Sequence, residues 1–305
     1  MLNESENAII VSSPRLLNRI KFLCFLAFQI PSLICSIYLF FRYIKTETLR
    51  RSIHNDIIII LLFSSFLFVL IPISLSESFL FTSYVQPAND IFCSIWTWIH
   101  YSINISNLIL MTFACSERHW LIFRLNHFPR RTDRFKYHFI PIVICMVYPW
   151  IFYLILIFVY PCKSEYNYNQ LLCLAPCYFF NVLMGNVDTI INNWIPIFSI
   201  PCLSFSLFLR FLLQKRRMQM NLVDWKRDRK LILQLLSVTI LYVLGWAPLQ
   251  TAAIYINFYL GGVSPQFVVD YFYILPYFIH LFYPFVILFS HSEFRRRIHL
   301  VQPQD

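Results

Sequence analysis

Seven apolar runs, separated by loops that carry cations only in every second position, restrict this chain more than any short motif does. They cover about 22–44, 57–75, 93–118, 139–160, 189–213, 231–256 and 267–289. A helix rises 1.5 Å per residue, so about 20 apolar residues cross the roughly 30 Å hydrocarbon core of a bilayer. Lipid offers no partner for backbone polar groups, so such runs cross as helices, which satisfy their own N–H and C=O groups. Charged residues make up 13% of the chain, about half the share of a soluble domain. The expected fold is an all-α membrane protein, a seven-transmembrane helix bundle, with the lipid bilayer as its first partner.

The loops set the orientation. Arg42, Lys45, Arg50 and Arg51 follow the first run, Arg124, Arg130, Arg131, Arg134 and Lys136 the third, and Lys215, Arg216, Arg217, Lys226, Arg227, Arg229 and Lys230 the fifth. The intervening loops are nearly free of cations: 76–90 and 257–266 hold none, and 161–188 holds only Lys163. The positive-inside rule places the basic loops and the C-terminus in the cytoplasm and the N-terminus outside. Residues 1–21 then form an extracellular tail with a glycosylation sequon at Asn3, 22–289 the membrane domain, and 290–305 a cytoplasmic tail. In that tail Phe294 and Ile298 lie four apart, as on one face of a short amphipathic helix. The net charge of +10 therefore belongs to loops beside a membrane, and no nucleic-acid partner is expected.

The third run begins near Cys93 and ends at Glu117-Arg118, 25 residues later. That separation is about the thickness of a bilayer with its interfaces, and a charge pair is tolerated at the water boundary. The sixth run contains Gly245-Trp246-Ala247-Pro248 and the seventh Tyr283-Pro284. With seven runs and an outer N-terminus, this set resembles the rhodopsin-like (class A) G-protein-coupled receptors, in particular divergent, peptide-receptor-like members from invertebrates. The resemblance implies that Arg118 is an activation switch, restrained by Glu117 and by an acidic residue on helix six, for which Asp228 fits and Asp224 is a rival. It implies that Trp246 and Pro248 form a toggle and kink, and that outward movement of helix six admits a heterotrimeric G protein. It also implies a disulfide from Cys93 to the second extracellular loop, where Cys162, Cys173 and Cys177 compete. Cys173 is favoured, with Cys162–Cys177 as a possible second bridge.

The chain also departs from that family. Tyr283-Pro284 stands where Asn-Pro is usual, and the helix-two aspartate is replaced near Phe63 or Ser64, so the family's buried sodium site is not expected. His100 replaces the aspartate of amine receptors and Tyr277 the Schiff-base lysine of opsins. Trp96, His100, Tyr101, Asn104, Gln250, Asp270, Tyr273 and Tyr277 are the candidate ligand-pocket residues. The extra cysteines and the long second loop, often a β-hairpin in peptide receptors, favour a neuropeptide-like ligand. No metal-ligand spacing, phosphate loop or nucleophile–base pair occurs in the runs, so no cofactor, metal or catalytic centre is expected. The alternatives are a polytopic transporter or channel, or a receptor of this fold whose signalling is impaired or constitutive.

Overall fold

The computed structural model describes residues 4–51, 53–123, 135–217, 222–259 and 271–290. Asn3, Asp270 and the expected C-terminal amphipathic helix lie outside them. Among the described residues the chain is helical and contains no strand.

Seven helices account for nearly all of it. Helix α1 is Glu4–Lys45. Helix α2 begins as Ile53–Phe68, passes through a π-helical turn at Val69–Ile73 and ends as Ser74–Thr82. The π turn contains Pro72, whose missing N–H breaks the regular ladder. Helix α3 is Asp90–Phe123. Helix α4 begins with a π turn at Phe135–Phe139, continues as Ile140–Leu154 and ends in a π turn at Ile155–Val159. Helix α5 is Val182–Val187, a π turn Asp188–Trp194, then Ile195–Arg217. Helix α6 is Leu222–Tyr259 and α7 is Leu275–Ser290.

Five of these stretches are long and apolar enough to cross a membrane: Leu16–Lys45, Asn55–Thr82, Phe135–Val159, Val182–Leu213 and Ile232–Ile254. Helix α3 has the length but is interrupted by Ser, Thr, Asn and His, and α7 is a shorter apolar helix. Their outward sides are as apolar as their inward ones. On α4, Val143, Ile144, Ile151 and Phe158 are exposed while Ile142, Cys145 and Tyr153 are buried, as a lipid-facing helix requires.

Several helix limits differ from those expected. Helix α1 starts at Glu4 and α6 at Leu222, because polar residues without glycine extend a helix beyond the apolar stretch that sequence hydropathy detects. Helix α5 starts at Val182, not near Thr189. Asn181 caps it, its side chain accepting from the N–H groups of Leu183 and Met184, which brings Asp188 into the helix.

The helices close into a ring. Helix α1 packs on α2, α2 on α3, α3 on α4 and α5, α5 on α6, α6 on α7, and α7 returns to α1. At the α6–α7 contact Gly245 packs against Ile279. A Cβ there would stand 2.4 Å from Cγ1 of Ile279, so a larger residue before Trp246 would have to displace that side chain.

Candidate functional site

Three buried polar assemblies line the bundle: one at the Arg118 end of α3, one at its middle and one near the end that carries the disulfides.

At the first end, Glu117 and Arg118 are both buried. Arg118 borders a small cavity with Ile57 and Ile58 of α2, Leu235 and Val238 of α6, and Tyr283 of α7. Tyr283 donates its hydroxyl to the Ile58 carbonyl at 3.3 Å, so the tyrosine that stands in place of Asn joins α7 to α2 beside the arginine. Glu117 is hydrogen-bonded through Oε1 to Nδ1 of His138. On its other side, His138 Nε2 faces Asp56 Oδ2 at 3.4 Å. Tyr43 of α1 donates to Asp56 Oδ1 at 3.2 Å. Both ring nitrogens of His138 thus face carboxylates, which only accept, so the ring that satisfies both is the imidazolium. Next along α3, His119 Nε2 bonds the Leu203 carbonyl of α5 at 2.8 Å. Asp228 lies on α6; its side chain, like that of Asp224, is outside the described residues.

In the middle, histidine is in a different setting. Asn104 lies 3.1 Å from Nε2 of His100 through Nδ2 and 3.0 Å from Nε2 of His280 through Oδ1. His280 Nδ1 meets Ser65 Oγ at 3.2 Å. An amide oxygen accepts and an amide nitrogen donates, so His280 carries its proton on Nε2 and His100 accepts at Nε2 and carries its proton on Nδ1. The Asn107 amide nitrogen also faces His280 Nδ1 at 3.5 Å, which makes that nitrogen an acceptor, so both rings are neutral. His280 stacks on Phe68, with ring centroids 4.0 Å apart. This chain of Ser65, His280, Asn104 and His100 links α2, α7 and α3 without a carboxylate.

Toward the disulfide end, Cys93 is bridged to Cys173 and Cys162 to Cys177, with Cα–Cα distances of 5.9 and 6.0 Å. The loop between α4 and α5 is not a β-hairpin. It carries short 3₁₀ turns at Leu171–Cys173 and Cys177–Phe180. Leu172, Cys173 and Leu174 take positive φ values of 56°, 56° and 73°. These are costly for non-glycine residues, and here the Cys93 bridge and the burial of Leu172 hold the segment. The Leu172 carbonyl accepts from Thr97 at 3.5 Å, so the loop sits on α3 above Trp96.

The candidate pocket residues are only partly brought together. His100 contacts Tyr101, Tyr273 and Tyr277, with ring centroids 5.7, 6.3 and 5.3 Å apart, and binds Asn104. Trp96 is buried one turn away beneath the loop. Gln250 belongs elsewhere: its Oε1 accepts from the Trp194 indole at 2.8 Å, tying α6 to α5. Trp246 is buried in the core and Pro248 lies within α6.

Sequence reasoning missed Asp188. Its carboxylate accepts from Tyr153 at 2.7 Å, Tyr178 at 3.1 Å and Asn192 at 2.8 Å, a buried acid held by neutral donors alone among these contacts. It also missed His138, Asp56 and His280. The one available signal was an ionisable residue inside or at the margin of an apolar run. No protein-family model and no curated protein matches this chain.

Proposed function

We propose that this chain is a plasma-membrane receptor of the rhodopsin-like, seven-transmembrane type. Its N-terminus and the disulfide-bonded loop would face outward, and its Arg118 end would face a cytoplasmic heterotrimeric G protein. The observation that carries the proposal is the two-ended construction of α3. One end is bridged through Cys93 to the loop whose Leu172 and Cys173 pack in one buried cluster with Trp96 and Tyr277. The other end buries Arg118 among residues of α2, α6 and α7. Outward movement of α6 about Pro248 would remove Leu235 and Val238 from Arg118 and open that end. An extracellular ligand drives this only by binding the open state more tightly than the closed one. A peptide is favoured, reaching His100, Tyr101, Tyr273 and Tyr277 after displacing the Leu172 segment.

The test is G-protein activation in cells that express the chain at the surface, with and without a peptide library, for wild type and Arg118→Ala. Activation that disappears in the variant supports the proposal. Activation that persists removes Arg118 as the switch, and ion or solute flux without any G-protein activation favours a transporter.

A further inference from the structure

The resemblance to receptors makes Arg118 the natural partner of Glu117, but the side chain that bonds Glu117 Oε1 comes from α4. His138 is 1% exposed, Glu117 5% and Asp56 14%. Two carboxylates brought this close without a cation repel each other, and one would have to take up a proton. A protonated histidine that bonds Glu117 through Nδ1 and stands 3.4 Å from Asp56 through Nε2 removes that conflict. Arg118 is adjacent in sequence and adds a second positive charge beside Glu117. The contacts join four helices: Tyr43 of α1 to Asp56 of α2, and Asp56 through His138 of α4 to Glu117 of α3.

A buried ion pair adds little net stability compared with apolar packing, yet removing one partner is strongly destabilising. Such an arrangement therefore selects one geometry among several. Here that geometry fixes the last turns of α3, and with them the seat of Arg118. We propose that His138 is the positioning residue of the switch, clamping Glu117 against Asp56 and thereby setting how readily Arg118 leaves its buried site. The proposal rests on the receptor assignment for its functional consequence, whereas the clamp itself stands on geometry.

The experiment uses the full chain in lipid nanodiscs and in cells, as wild type, His138→Gln, His138→Arg, Glu117→Gln and the double variant His138→Gln/Glu117→Gln. Two quantities are read: amide hydrogen exchange over Ser116–His119, and basal G-protein activation that depends on Arg118. His138→Gln is expected to raise exchange about tenfold and to raise basal activation. Arginine, which keeps the charge, restores both toward wild type. In the Glu117→Gln background, His138→Gln adds no further change, because the histidine acts through that carboxylate. Unchanged exchange in His138→Gln, or an equal increment in both backgrounds, overturns the clamp. If His138→Gln does not fold, Glu117→Gln alone must show the same rise in exchange. Increased exchange in a chain that never activates a G protein keeps the clamp and removes the receptor assignment. Arg118-dependent activation with unaltered exchange does the reverse.

Discussion

His138 and His280 are both buried in the same bundle, and they differ in what faces them. His138 stands between the carboxylates of Glu117 and Asp56, a setting that the imidazolium satisfies. His280 stands between the amide oxygen of Asn104 on one side and the Ser65 hydroxyl and Asn107 amide nitrogen on the other, and is neutral. The partners account for the contrast. The cluster at Glu117 is buried with opposite charges facing one another, whereas at the bundle centre an uncompensated charge would cost several kcal/mol. The charged end is thus intolerant of losing one member. The neutral centre loses only hydrogen bonds.

The largest effect should come from breaking the charged end. Glu117→Ala leaves His138 with Asp56 alone and should cost about 3–5 kcal/mol, measured as loss of thermal stability in detergent or nanodiscs. A loss under about 1 kcal/mol, as for a surface pair, would show that the cluster is effectively solvated and erase the contrast. Asp188→Asn sharpens it, because Asp188 is a buried acid bound by two tyrosines and an amide. The substituted NH₂ would confront a donor, with an expected cost of about 2 kcal/mol. His280→Leu should be milder, about 1–2 kcal/mol, since it takes one hydrogen bond each from Asn104 and Ser65 but strands no charge. If His280→Leu were as damaging as Glu117→Ala, the centre would have to be charged as well.

These residues also mark what the sequence could reveal. Apolar length and loop charge were enough to find the stretches that become α1, α2, α4, α5 and α6. The family resemblance favoured Cys93–Cys173, with Cys162–Cys177 as a second bridge, and both bridges are present. Glu117, Arg118, Trp246 and Tyr283 could be singled out because each stands at the end of an apolar run or close to a proline within one. His138 and Asp56 were not. They are 82 residues apart in the chain and each, taken alone, looks like a solvated residue at a helix margin. Asp188 was assigned to the loop 161–188, one residue before the fifth run was taken to begin, and the Asn181 cap brings it into the helix. Gln250 was placed in the pocket by its position on α6, although the Trp194 indole holds it on the α5 side.

The smallest effect belongs to an acid–tyrosine contact that resembles those at Asp188 but lies on the surface. Tyr168 of the disulfide-bonded loop donates to Asp90 at the start of α3 at 2.5 Å, and the contact is exposed. The hydrogen bond to Asp90 holds the Tyr168 hydroxyl above the ordinary tyrosine range. The neutral, donating form is therefore favoured in the folded state. Its contribution is complete below the ordinary tyrosine value and fades only as pH rises through the raised one. Around neutral pH the contact is fully formed, yet water competes with it freely, so Tyr168→Phe should leave thermal stability unchanged within error. The Val85 N–H to Tyr168 carbonyl bond at 2.9 Å and the Cys93–Cys173 bridge still anchor the loop. Local amide exchange at Val85 and Tyr168 is the sensitive measurement, with a rise confined to those positions expected. A stability loss comparable to that of Asp188→Asn would mean that the loop shields this contact from water, and that burial does not separate the two acids.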